Sequence, residues 1–246
     1  MKIILNYLDE IERALQQVRD TQLSKISQGA HMLAQATLHQ HNLFVFGCNH
    51  AGLLALELYY RTGGMVNMNP LRAPGLNLEA TPATLTSQIE RLEDYGRLII
   101  DSSPVAKDDV VIIHSVSGRN PVTVDAAMRL REIGAKVIAL TNMATTSTVK
   151  SRHHSGLNLY QVADLVLDNC GCLGDAALVL PGAAVRVGPT STVIGAAVLN
   201  AMICEAVELI VAEGKVAPVF VSANLDEGDA FNENVLNSYK EHIFYM

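Results

Sequence analysis

Across the first 40 positions apolar side chains recur at helical spacing: Leu8, Ile11, Leu15 and Val18, then Ile26, Ala30 and Leu33. This predicts one or two helices between about 5 and 39. The period then changes. Residues 42–47, NLFVFG, form a short block without a polar face, as in a buried strand, and the following HAGLLALELYYRTGG predicts a helix closed by Gly63 and Gly64. MVNMNPL predicts a second strand stopped at Pro70, the Pro-, Gly- and Thr-rich stretch 72–87 a loop, and IERLEDYGRLIID a short helix. DVVIIHS, NPVTVDAAMRLREIG and AKVIALTN read as strand, helix with Pro121 in its first turn, and strand. Residues 144–159 read as polar loop, ADLVLDN as a strand, and the run from ALVL to AAVRVG as one or two more. TSTVIGAAVLNAMICEAVELIVAEG is a long helix, apolar nearly all round, ending at Gly214.

Strands and helices alternating at this spacing imply a mostly parallel sheet with helices on both faces, a three-layer α/β/α sandwich. No linker, repeat or low-complexity stretch divides the chain. Residues 1–246 therefore read as a single domain: a core of about 43–214, N-terminal helices over 1–41, and a C-terminal helical arm over 215–246 with a last helix around 231–241. A helix apolar on all sides is either deep core or a subunit interface. A homodimer, or a dimer of dimers, is the expected assembly.

The 246 residues are 49% hydrophobic, enough to fill such a core. No stretch approaches the roughly 18 uninterrupted apolar residues of a membrane span. Asp9, Glu10 and Glu12 interrupt the N-terminal run where a signal peptide stays apolar, so the expected location is the cytoplasm. Four cysteines without a CxxC pair are expected as reduced thiols. With a net charge of -7 and no Lys/Arg cluster, neither nucleic acid nor an anionic membrane is the expected partner. A single phosphate is a different matter, because backbone N–H groups, hydroxyls and a helix N-terminus hold it without net positive charge.

In an open parallel sheet ligands bind beyond the carboxyl ends of the strands, and the unusual residues fall there. Ser115 and Ser117 end the third strand, Gly118 permits a tight turn, and the next helix presents its positive end. GPTST, 188–192, again sets hydroxyls, those of Thr190, Ser191 and Thr192, at a helix start, and FGCNHAG places Gly47 and Gly52 around Asn49 and His50. One such turn could merely cap its helix; three on one edge point to a phosphate-type anion site. The loop KSRHHSG concentrates Arg152, His153 and His154. A histidine there could open a sugar ring by proton transfer to the ring oxygen, although a solvated loop has the same composition. The Cys-x-Cys of NCGC lacks the usual zinc spacing, and Cys48 has no assigned base and reads as a small filler. Neither a metal site nor a cofactor is expected. A dinucleotide site is disfavoured by the missing GxGxxG after the first strand and the lack of an acidic residue ending the second.

FVFGCNHAG, DDVVIIHSVSGRNPVTVDAAMRLREIGAKVIALTN and ADLVLDN, in order over roughly 43–214, resemble the sugar isomerase (SIS) domain family of phosphosugar isomerases and phosphosugar-binding regulators. The chain looks closest to a bacterial single-SIS group sharing segments like YRTGG, SVSGRNP, SRHHSG and GPTST, itself similar to N-acetylmuramic acid 6-phosphate etherases. The resemblance implies a flavodoxin-like five-stranded parallel sheet, a phosphorylated sugar or amino sugar held by the serine loops, and a dimer whose sites borrow residues from the neighbouring subunit. Carried over by position, Ser115 and Ser117 match the phosphate-binding serines, with Gly118, Arg119 and Asn120 in the same loop; Asn120 stands where many SIS domains have Thr. In the first loop Asn49 and Ala51 replace the usual Gly and Ser, so one expected phosphate hydroxyl is missing. His50 and the GPTST hydroxyls could compensate.

ERLEDYG resembles the etherase segment that contributes a catalytic Glu, and Glu93 falls at that position. The position of the etherase's other acidic residue holds Arg61; Glu57, one turn earlier on the same helix face, could substitute. The plainer reading makes Glu57 and Arg61 a salt-bridged pair and Glu93 an exposed helix residue. The expectation is thus a phosphosugar-binding enzyme, first an aldose–ketose isomerase acting on a sugar phosphate or amino-sugar phosphate, with Glu93 as general base and His153 assisting. The alternatives are an etherase-like lyase eliminating at C2, and a phosphosugar sensor that binds without chemistry. Isomerisation and elimination begin with the same kind of proton abstraction, so the sequence leaves both open.

Overall fold

Strands apolar on both faces need helices on both sides of their sheet, and the fold supplies them. The computed structural model describes residues 2–246. Helices α1 (Lys2–Thr21) and α2 (Leu23–Leu38) lead into β1 (Leu43–Gly47), a 3-10 turn (Asn49–Gly52) and α3 (Leu53–Leu58). After β2 (Met68–Pro70) come the short α4 (Thr86–Ile89) and α5 (Tyr95–Asp101). The chain continues through β3 (Val110–His114), α6 (Pro121–Ile133), β4 (Lys136–Thr141), the single turns α7 (Met143–Thr146) and α8 (Leu159–Val162), and β5 (Leu165–Asp168). A hairpin of β6 (Ala176–Leu178) and β7 (Val187–Pro189) precedes the long α9 (Ser191–Ala212), and α10 (Gly228–Ser238) lies in the C-terminal arm.

The five-stranded sheet runs β2-β1-β3-β4-β5 with every pairing parallel, Phe44 opposite Val111 and Ile112 opposite Ile138. Alternate side chains feed two cores. Leu43, Val45, Ile112, Ile138 and Leu140 pack with α1, α2, α3 and α9. Phe44, Phe46, Ile113 and Val137 pack with α5, α6 and α8. This is the three-layer α/β/α sandwich that the alternation of strands and helices implies.

Several boundaries differ from those the periodicity suggests. The helix expected to run to Gly63 stops at Leu58, because Tyr59 is extended and Tyr60 takes φ 47°. Of the expected helix over IERLEDYGRLIID only the second half is helical, as α5: α4 ends at Ile89, residues 90–94 form a turn, and Asp94 enters the left-handed region at φ 64°. Gly96, just beyond the turn, is needed for close approach: a Cβ there would clash with the Val122 carbonyl oxygen on α6. The strands β6 and β7 pair antiparallel with each other, outside the parallel sheet. The edge of β2 is covered by the C-terminal arm, where Asn69 accepts the Phe244 N–H at 2.8 Å and donates to the His242 carbonyl at 2.9 Å. Helix α9 is long and apolar enough to cross a membrane by length and composition; here it packs along α2 and α3, burying Ile194, Val198, Leu199, Met202 and Ile210.

Candidate functional site

The carboxyl ends of β1 and β3 stand side by side, Gly47 opposite His114, so the loops that follow them share one edge. In the second loop the Ser115 hydroxyl accepts the Gly118 N–H at 3.2 Å, and Gly118 takes φ 57°, where a Cβ would also lie 2.9 Å from Thr146 Oγ1. The turn therefore needs glycine twice over. Pro121 begins α6, with Asn120 extended at its N-cap, so the helix presents its positive end to the edge. In the first loop Asn49 is left-handed at φ 55° and donates its N–H to the Leu76 carbonyl at 2.8 Å, while its side-chain oxygen accepts the Thr86 hydroxyl. His50 is exposed. A cavity of about 260 Å³ opens against this loop, bounded by Gly47, Asn49, Gly52, Leu76 and Asn77. Larger clefts, about 610 and 620 Å³, lie beside β2 and beside α10, and neither includes a residue of either loop.

A carboxylate bridges the two loops, that of Glu90 rather than Glu93. Asn120 Nδ2 donates to Glu90 Oε1 at 2.8 Å, and Arg152 Nη1 donates to Asn120 Oδ1 at 2.9 Å. The Arg152 N–H also donates to the Arg119 carbonyl at 2.8 Å, which ties the KSRHHSG loop to the serine loop. Burial pushes Glu90 above its ordinary pKa; a hydrogen bond from Asn49 and the charges of Arg91 and Arg152 act in the opposite direction. Beside it burial pushes the Cys48 thiol up, with Glu90's charge adding to the effect, so Cys48 is a neutral thiol at pH 7. Of the residues expected from the sequence, Gly47, Asn49, His50, Ser115, Ser117, Gly118, Arg119, Asn120 and Arg152 gather on this edge.

The others are engaged elsewhere. Glu93 Oε1 accepts the His154 N–H at 3.0 Å, and its Oε2 lies 2.8 Å from His154 Nδ1 and 3.4 Å from His153 Nε2. That contact raises the His154 pKa. Glu93, His153 and His154 are also the one group of titratable side chains, among the described residues, whose ligand atoms converge as around a cation. His153 is buried with both ring nitrogens occupied: Nδ1 accepts the Ser155 N–H at 3.1 Å, which leaves the ring proton on Nε2 to be donated to Asp125 Oδ1 at 2.8 Å. Glu57 is paired with Arg61 and accepts from Asn200 Nδ2 at 2.9 Å, the plainer of its two sequence readings. At the GPTST helix start an internal anion is already seated. Asp175 Oδ1 accepts the N–H groups of Thr190 and Ser191 at 3.0 and 2.7 Å and the Thr190 hydroxyl at 3.2 Å; its Oδ2 accepts the Ser191 hydroxyl at 2.8 Å. Thr192 is partly exposed beside them.

Beneath the edge His114 is fully enclosed. Its Nδ1 donates to the Ala51 carbonyl at 3.0 Å, its Nε2 is buried without a hydrogen-bond partner, and burial lowers its pKa to about 4. Glu90, His114 and Asp175 escape a sequence reading for different reasons. Glu90 is masked by the apparent continuity of 89–101 as one helix, His114 by the aliphatic run it ends, and Asp175 by its separation from the helix it caps; only the Gly-Asp pair 174–175, a turn signal, marks the last.

A family model described as the SIS domain matches residues 6–142. A UPF0309 protein of Shouchella clausii is 42% identical over 246 residues, covering 100% of both chains. A UPF0309 protein of Streptomyces griseus is 38% identical over 245 residues, 99% of this chain and 98% of its own. Among solved structures, a phosphoheptose isomerase from Francisella tularensis superposes with a TM-score of 0.51 at 17% identity, over 85% of this chain and 96% of its own. A phosphoheptose isomerase from Neisseria gonorrhoeae superposes with a TM-score of 0.50 at 15% identity, over 85% and 98%. At these identities the two superpositions speak to fold alone.

Proposed function

The chain belongs to the SIS domain family, in its UPF0309 group, and from that membership we propose that it binds a phosphorylated sugar or amino sugar at the carboxyl edge of its sheet and acts on it as an aldose–ketose isomerase, with Glu90 as general base. The observation that carries this reading is the placement of Glu90: a partly buried carboxylate, raised above its ordinary pKa, fixed by Asn120 between the first loop and the serine loop. A base that takes a proton from carbon is strengthened by a raised pKa, and burial acts in that direction on Glu90. Ser115, Ser117, the backbone around Gly118 and the N-terminus of α6 would hold the phosphate. Aldose–ketose isomerisation then moves a proton between C1 and C2. Elimination at C2 by an etherase-like lyase would start from the same abstraction.

In this reading Glu93 and His153 are positioning residues. Glu93 fastens the turn after α4 to His154, and His153 fastens the same loop to Asp125 on α6, so that Arg152 and Asn120 stay set around Glu90. His50, exposed on the first loop, is the histidine free to reach a ring oxygen. The reading is of a cytoplasmic protein, and its four cysteines are free thiols.

Thermal shift against a panel of sugar phosphates, each paired with its unphosphorylated sugar, tests the binding half. Stabilisation confined to phosphorylated members is expected, and replacing Ser115 and Ser117 together by Ala should weaken the best one by about 10-fold or more. If no sugar phosphate stabilises the protein, the reading fails.

A further inference from the structure

Three arginines without a carboxylate partner lie around the Glu90 carboxylate. Of the chain's eleven arginines four pair with acids: Arg13 with Glu10, Arg61 with Glu57, Arg97 with Glu132, and Arg129 with Asp101 and Glu132. Arg19, Arg72, Arg131 and Arg186 form no ion pair among the described residues and stand on separate segments. Arg91, Arg119 and Arg152 form no ion pair with a carboxylate among the described residues, although the chain is acidic overall with a net charge of -7. They come together from three segments, the turn after α4, the serine loop and the loop after α7. The Arg152 backbone N–H is on the Arg119 carbonyl at 2.8 Å and its guanidinium on Asn120 at 2.9 Å, one side chain removed from Glu90. Nε of Arg119 is buried with no hydrogen-bond partner. Arg152 feels its neighbours: burial first, then the charges of Arg119 and Arg91, depress its pKa against the opposing pull of Glu90.

Guanidiniums left unpaired beside one another repel, and an arrangement that keeps them so is completed by an anion. The serine loop and the α6 N-terminus already offer neutral donors for one phosphate. We propose that the ligand carries a second anionic group, a carboxylate, received by Arg119 and Arg152 with Arg91 reinforcing the field, so that the substrate class is a phosphorylated sugar acid. This inference rests on the phosphosugar reading of the same site. A carboxylate suits the place because the guanidinium fork matches its two oxygens. It also lies within reach of Glu90, where the chemistry would occur.

The test compares 6-phosphogluconate, glucitol 6-phosphate and gluconate by isothermal titration with the full chain. The first two differ only in carboxylate against alcohol at C1 and serve as binding probes, since neither has the aldehyde that isomerisation needs; gluconate lacks the phosphate. The acid phosphate should bind at least about 10-fold more tightly than the alcohol phosphate, and gluconate should bind more weakly than either. Arg152→Met should cost the acid about 10-fold more affinity than it costs the alcohol, with Arg152→Lys intermediate because the charge remains while the fork is lost. Equal binding of the two phosphates, or equal losses in Arg152→Met, overturns the second anion and leaves the phosphosugar reading standing. Binding of neither phosphate overturns both.

Discussion

Glu90 and Glu93 are three residues apart and would share one face of a continuous helix. Helix α4 ends at Ile89 and 90–94 form a turn, in which Glu90 reaches Asn120 and Glu93 reaches His154. The sequence marks the segment as the place for a carboxylate and leaves the choice of residue to a turn that periodicity cannot see. The serines were legible because their chemistry and their position at a strand end coincide. His114 was not, since a histidine ending VVIIH is apolar in pattern and its burial is set by packing from distant elements. Its consequence is a pH dependence of stability. With a folded pKa of about 4 against an unfolded value near 6.5, the fold refuses a proton that the unfolded chain accepts. Stability is therefore lost as pH falls from about 6.5, and the loss is complete below about 4. Urea unfolding at pH 7 and pH 5 should show a decline attributable to this group on the order of 2 kcal/mol, absent in His114→Leu. An equal decline in that variant would assign it to other groups.

At the scale of elements, α6 and α9 were plain in the sequence because long amphipathic or apolar runs bounded by Pro121, Gly134 and Gly214 leave little choice of period. Short elements were misjudged: α3 is half the length its apolar run suggests, and the hairpin of β6 and β7 was indistinguishable from sheet strands by composition. The start of α9 shows the same limit. Thr190 and Ser191 look like open donors in sequence, whereas in the fold Asp175 supplies the charge that a helix N-terminus attracts. This cap should be a measurable part of the stability of α9. Asp175→Asn keeps a side chain that tolerates φ 68° while removing the charge, and should lower unfolding stability by about 1 kcal/mol at neutral pH. An unchanged denaturation midpoint would show that the cap contributes nothing.

At the scale of the whole molecule, the family likeness extends through every layer of the sandwich, and the aliphatic alternation that specifies those layers is what made the fold readable. Assembly is written less clearly. Ile4, Leu5 and Leu8 on α1 and Leu173, Val179 and Val185 around the β6–β7 hairpin are exposed, and the Tyr7 hydroxyl joins the two regions by donating to the Pro189 carbonyl at 2.6 Å. Exposed apolar side chains on adjoining elements suit a contact between copies, for which a two-fold pairing is the default. Light scattering should give twice the 26.5 kDa chain mass, and Leu8→Glu should shift the protein toward monomer. A wild type that is monomeric at micromolar concentration would contradict this. The central claim is chemical: a carboxylate between two phosphate-type loops moves a proton on a bound sugar phosphate. It is met most directly by proton NMR in D2O, following the C2 proton of the sugar phosphate that stabilises the protein best. Wild type should exchange that proton or form product, and Glu90→Gln should slow the exchange by about 100-fold or more while still binding. Exchange at full rate in Glu90→Gln, or no exchange in the wild type with its ligand bound, would contradict the account.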